Sequence, residues 1–299
     1  MACDLDGTLL RRDGTLSDRT ISAVNRVASE GLEFVLVSAR PPRWVDELAA
    51  RLRCHPLAVC SNGALIYDTT TKELVAEHPL APDVAAEVLR RLRHELEGIT
   101  IAVEMGLGYG KEPQYPNKWP LLEGSVIAEV DQLLAEPVAK LCVRHSDSRE
   151  HWELLELCRQ AVGDLAELTS SSPDGLIEVA APGVSKAFAL ELLARQLAVE
   201  PDEVIAFGDM PNDLPMLAWA GHSVAPSNAH LDVLAVVDRV TDDCDADGVA
   251  VVLEELCDIR CNEWGKAARR RLGPPLSGLE RSPRNIAIGG KPPSLGSAH

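Results

Sequence analysis

The sequence predicts an α/β protein: a doubly wound parallel sheet with an α+β unit inserted into it. Three observations predict this. Continuous apolar runs at 34–37, 57–60 and 204–207 alternate with amphipathic helical stretches, the pattern of a parallel sheet covered on both faces. The alternation lapses near residue 80 and resumes near 181. Polar residues stand where the apolar runs end, which is where ligands bind in such sheets.

The elements follow in order. Met1, Ala2 and Cys3 are little for a central first strand, so the start is read as truncated or late. After a turn at Asp13-Gly14, Ser17 caps a helix whose apolar face is Ile21, Val24, Val27 and Ala28, and Gly31 ends it. A strand at 34–37 stops at Ser38-Ala39-Arg40. A helix is expected over 43–54, a strand over 57–60 ending at Ser61-Asn62-Gly63, and a hairpin over 64–75. The inserted unit, 81–180, reads as a helix over 82–97, a strand over 99–104 and a loop rich in Gly, Pro, Tyr and Trp over 105–120. A helix over 126–134, a strand over 138–144, a helix over 149–162 and strands at 164–169 and 176–179 complete it. The core, 1–80 and 181–262, resumes with a helix over 183–197 and the strand at 204–207. Helices over 229–236 and 248–256 and short strands at 223–225 and 239–240 finish it.

Composition excludes several classes. With 299 residues, the chain has room for two domains. A hydrophobic fraction of 46% and a charged fraction of 25% are ordinary for a globular protein. There is no apolar run of membrane-span length and no signal peptide before the first motif, so a cytoplasmic location without a membrane partner is expected. A net charge of -17 argues against nucleic acid. It leaves open an anionic small molecule, which responds to the local field of a cleft. The eight cysteines form no CxxC and no zinc-like cluster, and are read as reduced packing residues. Residues 263–299 hold seven Lys/Arg against two Glu with no apolar periodicity, and are read as a disordered basic tail.

Two acidic motifs carry the chemistry. Asp4 and Asp6 are spaced i, i+2, so on a strand they face one side, and Gly7 and Thr8 turn the chain away. Such close like charges call for a cation or a shared proton; a solvated acidic turn is the alternative. Asp209 stands at the end of another buried strand, with Asn212 and Asp213 just beyond. Oxygen ligands of this kind suit Mg²⁺, and a helix N-cap is the alternative for Asp209. Lys186 at a helix start opposes the helix dipole unless an anion lies in front of it. Ser38 offers a hydroxyl to the same anion; a surface lysine and a turn serine are the alternatives. Together these pieces describe phosphoryl transfer, with a carboxylate nucleophile, a cation, a lysine and hydroxyl on phosphate oxygens, and a second carboxylate moving protons.

DLDGT, then SAR closing a strand, then Lys186, then GDMPND resembles the haloacid dehalogenase-like (HAD) superfamily. The insertion between the second and third motifs, with SNGALIYD, resembles its Cof-type phosphatases, which have a Rossmann-like core and a large α/β cap. The resemblance covers about 1–257. It implies Asp4 as nucleophile, Asp6 as general acid/base, and Mg²⁺ held by Asp4, the Asp6 backbone carbonyl and Asp209. It implies Ser38 and Lys186 as phosphate-binding groups, and Asn212 and Asp213 as supports of the acidic loop. Gly7, Thr8, Arg40, Asn62 and Gly63 fall at the site rim, Arg40 facing the leaving group or making a structural ion pair. The implied partner is a small phosphorylated metabolite (a sugar phosphate, nucleotide or cofactor phosphate), in a monomer or homodimer. In the inserted unit Glu104, Lys111, Tyr115, Lys118 and Trp119 are candidates for the leaving group, with Arg144 and His145 behind them. A phosphomutase of the same fold and a non-catalytic phosphate-ligand binder are the competing functions.

Overall fold

The structure, a computed structural model, describes residues 1–116, 121, 123–147, 149–170 and 175–262. Lys118, Trp119 and the 263–299 tail lie outside the described residues.

The first half of the core comprises β1 (Ala2–Asp4), α1 (Asp18–Ser29), β2 (Val35–Val37), α2 (Pro42–Ala49), β3 (Leu57–Cys60), β4 (Leu65–Asp68) and β5 (Glu73–Glu77). Ser17 caps α1 by accepting the Thr20 N–H at 3.0 Å, an interaction of about 1 kcal/mol. The helix expected over 43–54 ends at Ala49. The Asn25 side chain accepts the Arg53 N–H at 2.7 Å, and His55 turns left-handed with φ 45°.

The insertion runs through α3 (Pro82–Glu95), β6 (Thr100–Met105), β7 (Gly108–Lys111), β8 (Val126–Ile127), α4 (Val130–Leu133), β9 (Lys140–Arg144), α5 (His151–Val162), β10 (Glu167–Thr169) and β11 (Leu176–Ala180). The core then closes with α6 (Lys186–Leu197), β12 (Ile205–Phe207), α7 (Leu214–Trp219), β13 (His222–Pro226), α8 (Leu231–Leu234), β14 (Arg239–Thr241) and α9 (Gly248–Asn262).

The core sheet has the order β14-β13-β12-β1-β2-β3-β4-β5, parallel up to β3 and antiparallel beyond it. Alternate strand residues bury to opposite sides. Cys3, Leu36, Cys60 and Phe207 pack with α1, α2 and α9, while Ala2, Val35, Val37, Val59 and Ala206 pack with α6, α7 and α8. β1 has three residues but lies between β2 and β12, so Asp4 emerges at the centre of the sheet's carboxyl edge.

The second sheet has the order β10-β11-β9-β6-β7-β8. One face, including Ile101, Val103, Leu141, Val143, Ile177 and Val179, is dry beneath α3 and α5. The other carries Glu104 opposite Lys140 and Cys142 opposite Glu178. This polar face meets the core loops.

Other elements also differ from expectation. β7 lies in the stretch read as a loop, because Gly108 and Gly110 hide its strand character. A Cβ on Gly110 would stand 2.8 Å from Leu133 Cδ2, so a side chain there would collide with α4. The start of the 126–134 segment is a strand and only its end is helical. Pairing of Val126 and Ile127 with β7 decides this. α7 had no expectation, since Pro215 in its first turn reads as a breaker although proline is tolerated there.

Candidate active site

Asp4 ends β1, Ser38 follows β2, Asn62 follows β3 and Asp209 follows β12. Neighbouring parallel strands therefore deliver these residues to one edge of the sheet. Lys186 enters from the first turn of α6, whose N-cap Ser185 accepts the Phe188 N–H.

Lys186 is the hub of the charges. Its Nζ donates to Asp4 Oδ1 and to Asp213 Oδ1, both at 2.6 Å. Asp213 Oδ2 accepts the backbone N–H groups of Asp209 and Met210, at 3.1 and 3.0 Å. Asp213 thus shapes its own loop while fixing the lysine. Thr8 Oγ1 donates to Asp209 Oδ1 at 2.9 Å. Gly7, at φ 76°, approaches so closely that a Cβ would stand 2.4 Å from Asp209 Oδ2. Asp4, Asp209, Asp213, Lys186 and Ser38 are all buried.

Burial of so many carboxylates has a cost in charge. Desolvation pushes the Asp4 carboxyl well above the usual range, and Lys186 only partly offsets this. Asp209 is pushed up to about 7, first by desolvation and then by Asp213. Desolvation works against the Lys186 ammonium, but Asp213 and Asp4 outweigh it and hold the group above the ordinary lysine range. With all three carboxylates ionised, one ammonium leaves an excess of negative charge. Carboxylate oxygens of Asp4, Asp209 and Asp213 lie within 4.8 Å of one another. An all-oxygen donor set with excess negative charge fits a hard divalent cation such as Mg²⁺.

Asp6 is placed differently from the strand alternation. β1 ends at Asp4, so the i, i+2 rule does not extend to Asp6. Its side chain is 58% exposed and is held by Arg40. Arg40 Nε donates to Asp6 Oδ2 at 2.7 Å and Nη2 donates to Oδ1. Ser38 Oγ accepts the Arg40 N–H at 3.0 Å. Asn62 Nδ2 donates to Thr169 Oγ1 at 3.2 Å, and Asn212 Nδ2 donates to Asn62 Oδ1 at 3.3 Å. Gly63, at φ 100°, lies where a Cβ would come within 2.1 Å of the Ser185 carbonyl oxygen.

The candidates of the inserted unit divide. Glu104 is buried and paired with Arg43, whose Nη2 donates to Oε1 at 2.8 Å. Lys111 is buried and donates to the Tyr115 carbonyl at 2.6 Å, so its ammonium is engaged within its own loop. Tyr115 lies against Arg144, and burial raises its hydroxyl above the usual range. His145 stacks on His151 with ring centroids 6.3 Å apart.

Residues absent from the sequence reading also reach the site. Asn228 Nδ2 donates to the Gly7 carbonyl at 2.8 Å, and the His230 N–H donates to the Asp209 carbonyl at 2.8 Å. Lys140 Nζ donates to Glu178 Oε1 and to the Ala39 carbonyl, both at 2.7 Å. An Asn-containing turn after β13 was the available signal for Asn228, since β13 neighbours β12. Nothing in the sequence pairs Lys140 with Ala39.

A family profile described as haloacid dehalogenase-like hydrolase matches residues 1–253. The chain is 29% identical over 251 residues to 5-amino-6-(5-phospho-D-ribitylamino)uracil phosphatase YcsE of Bacillus subtilis, covering 84% of this chain and 92% of that protein. It is 29% identical over 245 residues to an HMP-PP phosphatase of an Enterobacter species, covering 78% and 86%. A solved haloacid dehalogenase-like hydrolase of B. subtilis superposes with a TM-score of 0.73 at 26% identity, covering 85% of this chain and 98% of that one.

Proposed function

From the premise that this chain belongs to the haloacid dehalogenase-like hydrolases of the Cof type, we propose that it is a Mg²⁺-dependent phosphatase of small phosphorylated metabolites, working through an aspartyl-phosphate on Asp4. The observation that carries the reading is the buried set Asp4–Lys186–Asp213, with Asp209 alongside. The phosphatase names of the relatives support the same reaction class.

Lys186 restrains Asp4 through Oδ1, which leaves the other oxygen to bond to phosphorus as the bond to the leaving oxygen breaks. Asp6, at the outer side of the site, gives its proton to that oxygen. The Asp6 carboxylate then takes a proton from water, the water oxygen bonds to phosphorus, and the Asp4–phosphorus bond breaks to release phosphate. Lys186 and Ser38 bind phosphoryl oxygens. Arg40 occupies both Asp6 oxygens and yields one of them before Asp6 carries a proton. Asp4, Asp209 and the Asp6 backbone carbonyl would hold Mg²⁺, which when bound neutralises charge gathering between Asp4 and the phosphoryl group.

The test is phosphate release from p-nitrophenyl phosphate and a metabolite phosphate panel, with and without Mg²⁺. Wild type is expected to release phosphate only with Mg²⁺, and Asp4→Asn to fall by at least about 10³-fold while remaining folded. An Asp4→Asn enzyme with undiminished turnover would remove Asp4 as nucleophile. Isomerised substrate without free phosphate would indicate a mutase.

A further inference from the structure

We propose that Asn62 is a positioning residue that couples the seating of the inserted unit to the loop carrying Asp209 and Asp213. The inference rests on reading 209–213 as the cation loop.

The tripeptide Ser61-Asn62-Gly63 reaches four segments around the site. The Ser61 N–H donates to the Arg40 carbonyl at 2.9 Å, and the Asn62 N–H to the Ser38 carbonyl at 3.1 Å. Gly63 presses on the Ser185 carbonyl, just before Lys186. The Asn62 side chain then spans the seam. Its amide nitrogen reaches Thr169 of β10, and its amide oxygen receives Asn212 of the acidic loop. Contacts to β2's loop, α6, the acidic loop and the inserted sheet thus all issue from one turn.

The turn carries marks of a functional constraint. Ser61 and Asn62 are consecutive non-glycine residues in left-handed backbone, at φ 51° and 57°, and both are buried. Glycine would relieve that strain at either position. Ser61 Oγ and Asn212 Oδ1 are buried with no hydrogen-bond partner among the described residues, another local cost. Asparagine tolerates left-handed backbone and supplies a donor and an acceptor on one short side chain. Glycine would keep the turn and lose both links, and aspartate would lose the donor toward Thr169.

Hydrogen exchange of the substrate-free protein tests the coupling in wild type, Thr169→Val, Asn62→Gly, their double variant and Arg43→Met. Thr169→Val removes only the link to the inserted unit, and Arg43→Met loosens the seam by a route that avoids Asn62. Peptides covering 208–213 are expected to exchange about three-fold faster or more in Thr169→Val and in Asn62→Gly. The double variant is expected to be no faster than Asn62→Gly alone, and Arg43→Met to leave 208–213 at the wild-type rate. Wild-type exchange of 208–213 in Thr169→Val overturns the proposal, as do additive effects in the double variant or equal acceleration by Arg43→Met. If Asn62→Gly fails to fold, Thr169→Val against Arg43→Met decides. No turnover is read, so a failure here is separate from a failure of the phosphatase reading.

Discussion

At the scale of one residue, the metal role proposed for Asp209 sets a proton and a cation in competition for the same oxygen. Its folded carboxyl is pushed up to about 7, against an ordinary 3.8. Between those values the metal-free folded state holds a proton that the unfolded chain has released. Its contribution to metal-free stability therefore falls as pH rises toward 7. A bound cation takes the proton's place and needs the carboxylate. The rise in melting temperature on adding Mg²⁺ is thus expected to be small near about pH 5.5, to grow up to about pH 7.5 and to level off. In Asp209→Asn the remaining Mg²⁺ response should depend less on pH, Asp4 keeping its own raised carboxyl. Thermal unfolding with and without Mg²⁺ across that range checks it, and a flat wild-type response would argue against Asp209 as a ligand.

At the scale of elements, the polar face of the inserted sheet carries a buried ion pair. Lys140 and Glu178 are nearly inaccessible, and Lys140 also holds the Ala39 carbonyl between Ser38 and Arg40. Breaking such a pair leaves an unpaired buried charge. Lys140→Met is expected to cost about 3–5 kcal/mol, and Lys140→Met with Glu178→Gln to recover much of it; denaturant unfolding reads both. Equal stability of the two variants would mean that the charge itself is not what matters. These elements also show what a sequence can and cannot disclose. α1, β3 and α3 were legible because periodicity, and in α1 the Ser17 cap, are local signals, although α3 ends at Glu95 rather than at residue 97. β7 was not, because Gly108 and Gly110 answer to α4 and β6 packing rather than to strand propensity. At the site, Asp4, Ser38, Lys186 and Asp209 were legible as strand-end and helix-start residues. The Arg40–Asp6 pairing and the Asn228, Lys140 and Asn62 links join segments far apart in sequence, so no local pattern announces them.

Across the whole molecule, the two sheets meet over the site. Arg43–Glu104, Lys140–Ala39 and Asn62–Thr169 cross the seam, and Asp4, Asp209, Asp213 and Lys186 beneath it are buried. Asp4 is 4% exposed, so under the phosphatase reading substrate access is expected to require the sheets to part. The basic segment 263–299 lies outside the described residues. Deleting it is expected to leave turnover within about two-fold of the full chain; a large loss with the fold intact would give the segment a catalytic role. The seam also bears on which molecular property of a substrate governs its rate. If parting of the sheets paces the cycle, the departing alcohol's acidity loses its influence, because the slow event precedes or follows bond cleavage. A series of phosphate monoesters of similar size, graded in leaving-group acidity, should then give nearly level kcat values. A steep gradient would locate the slow event in the chemistry at Asp4.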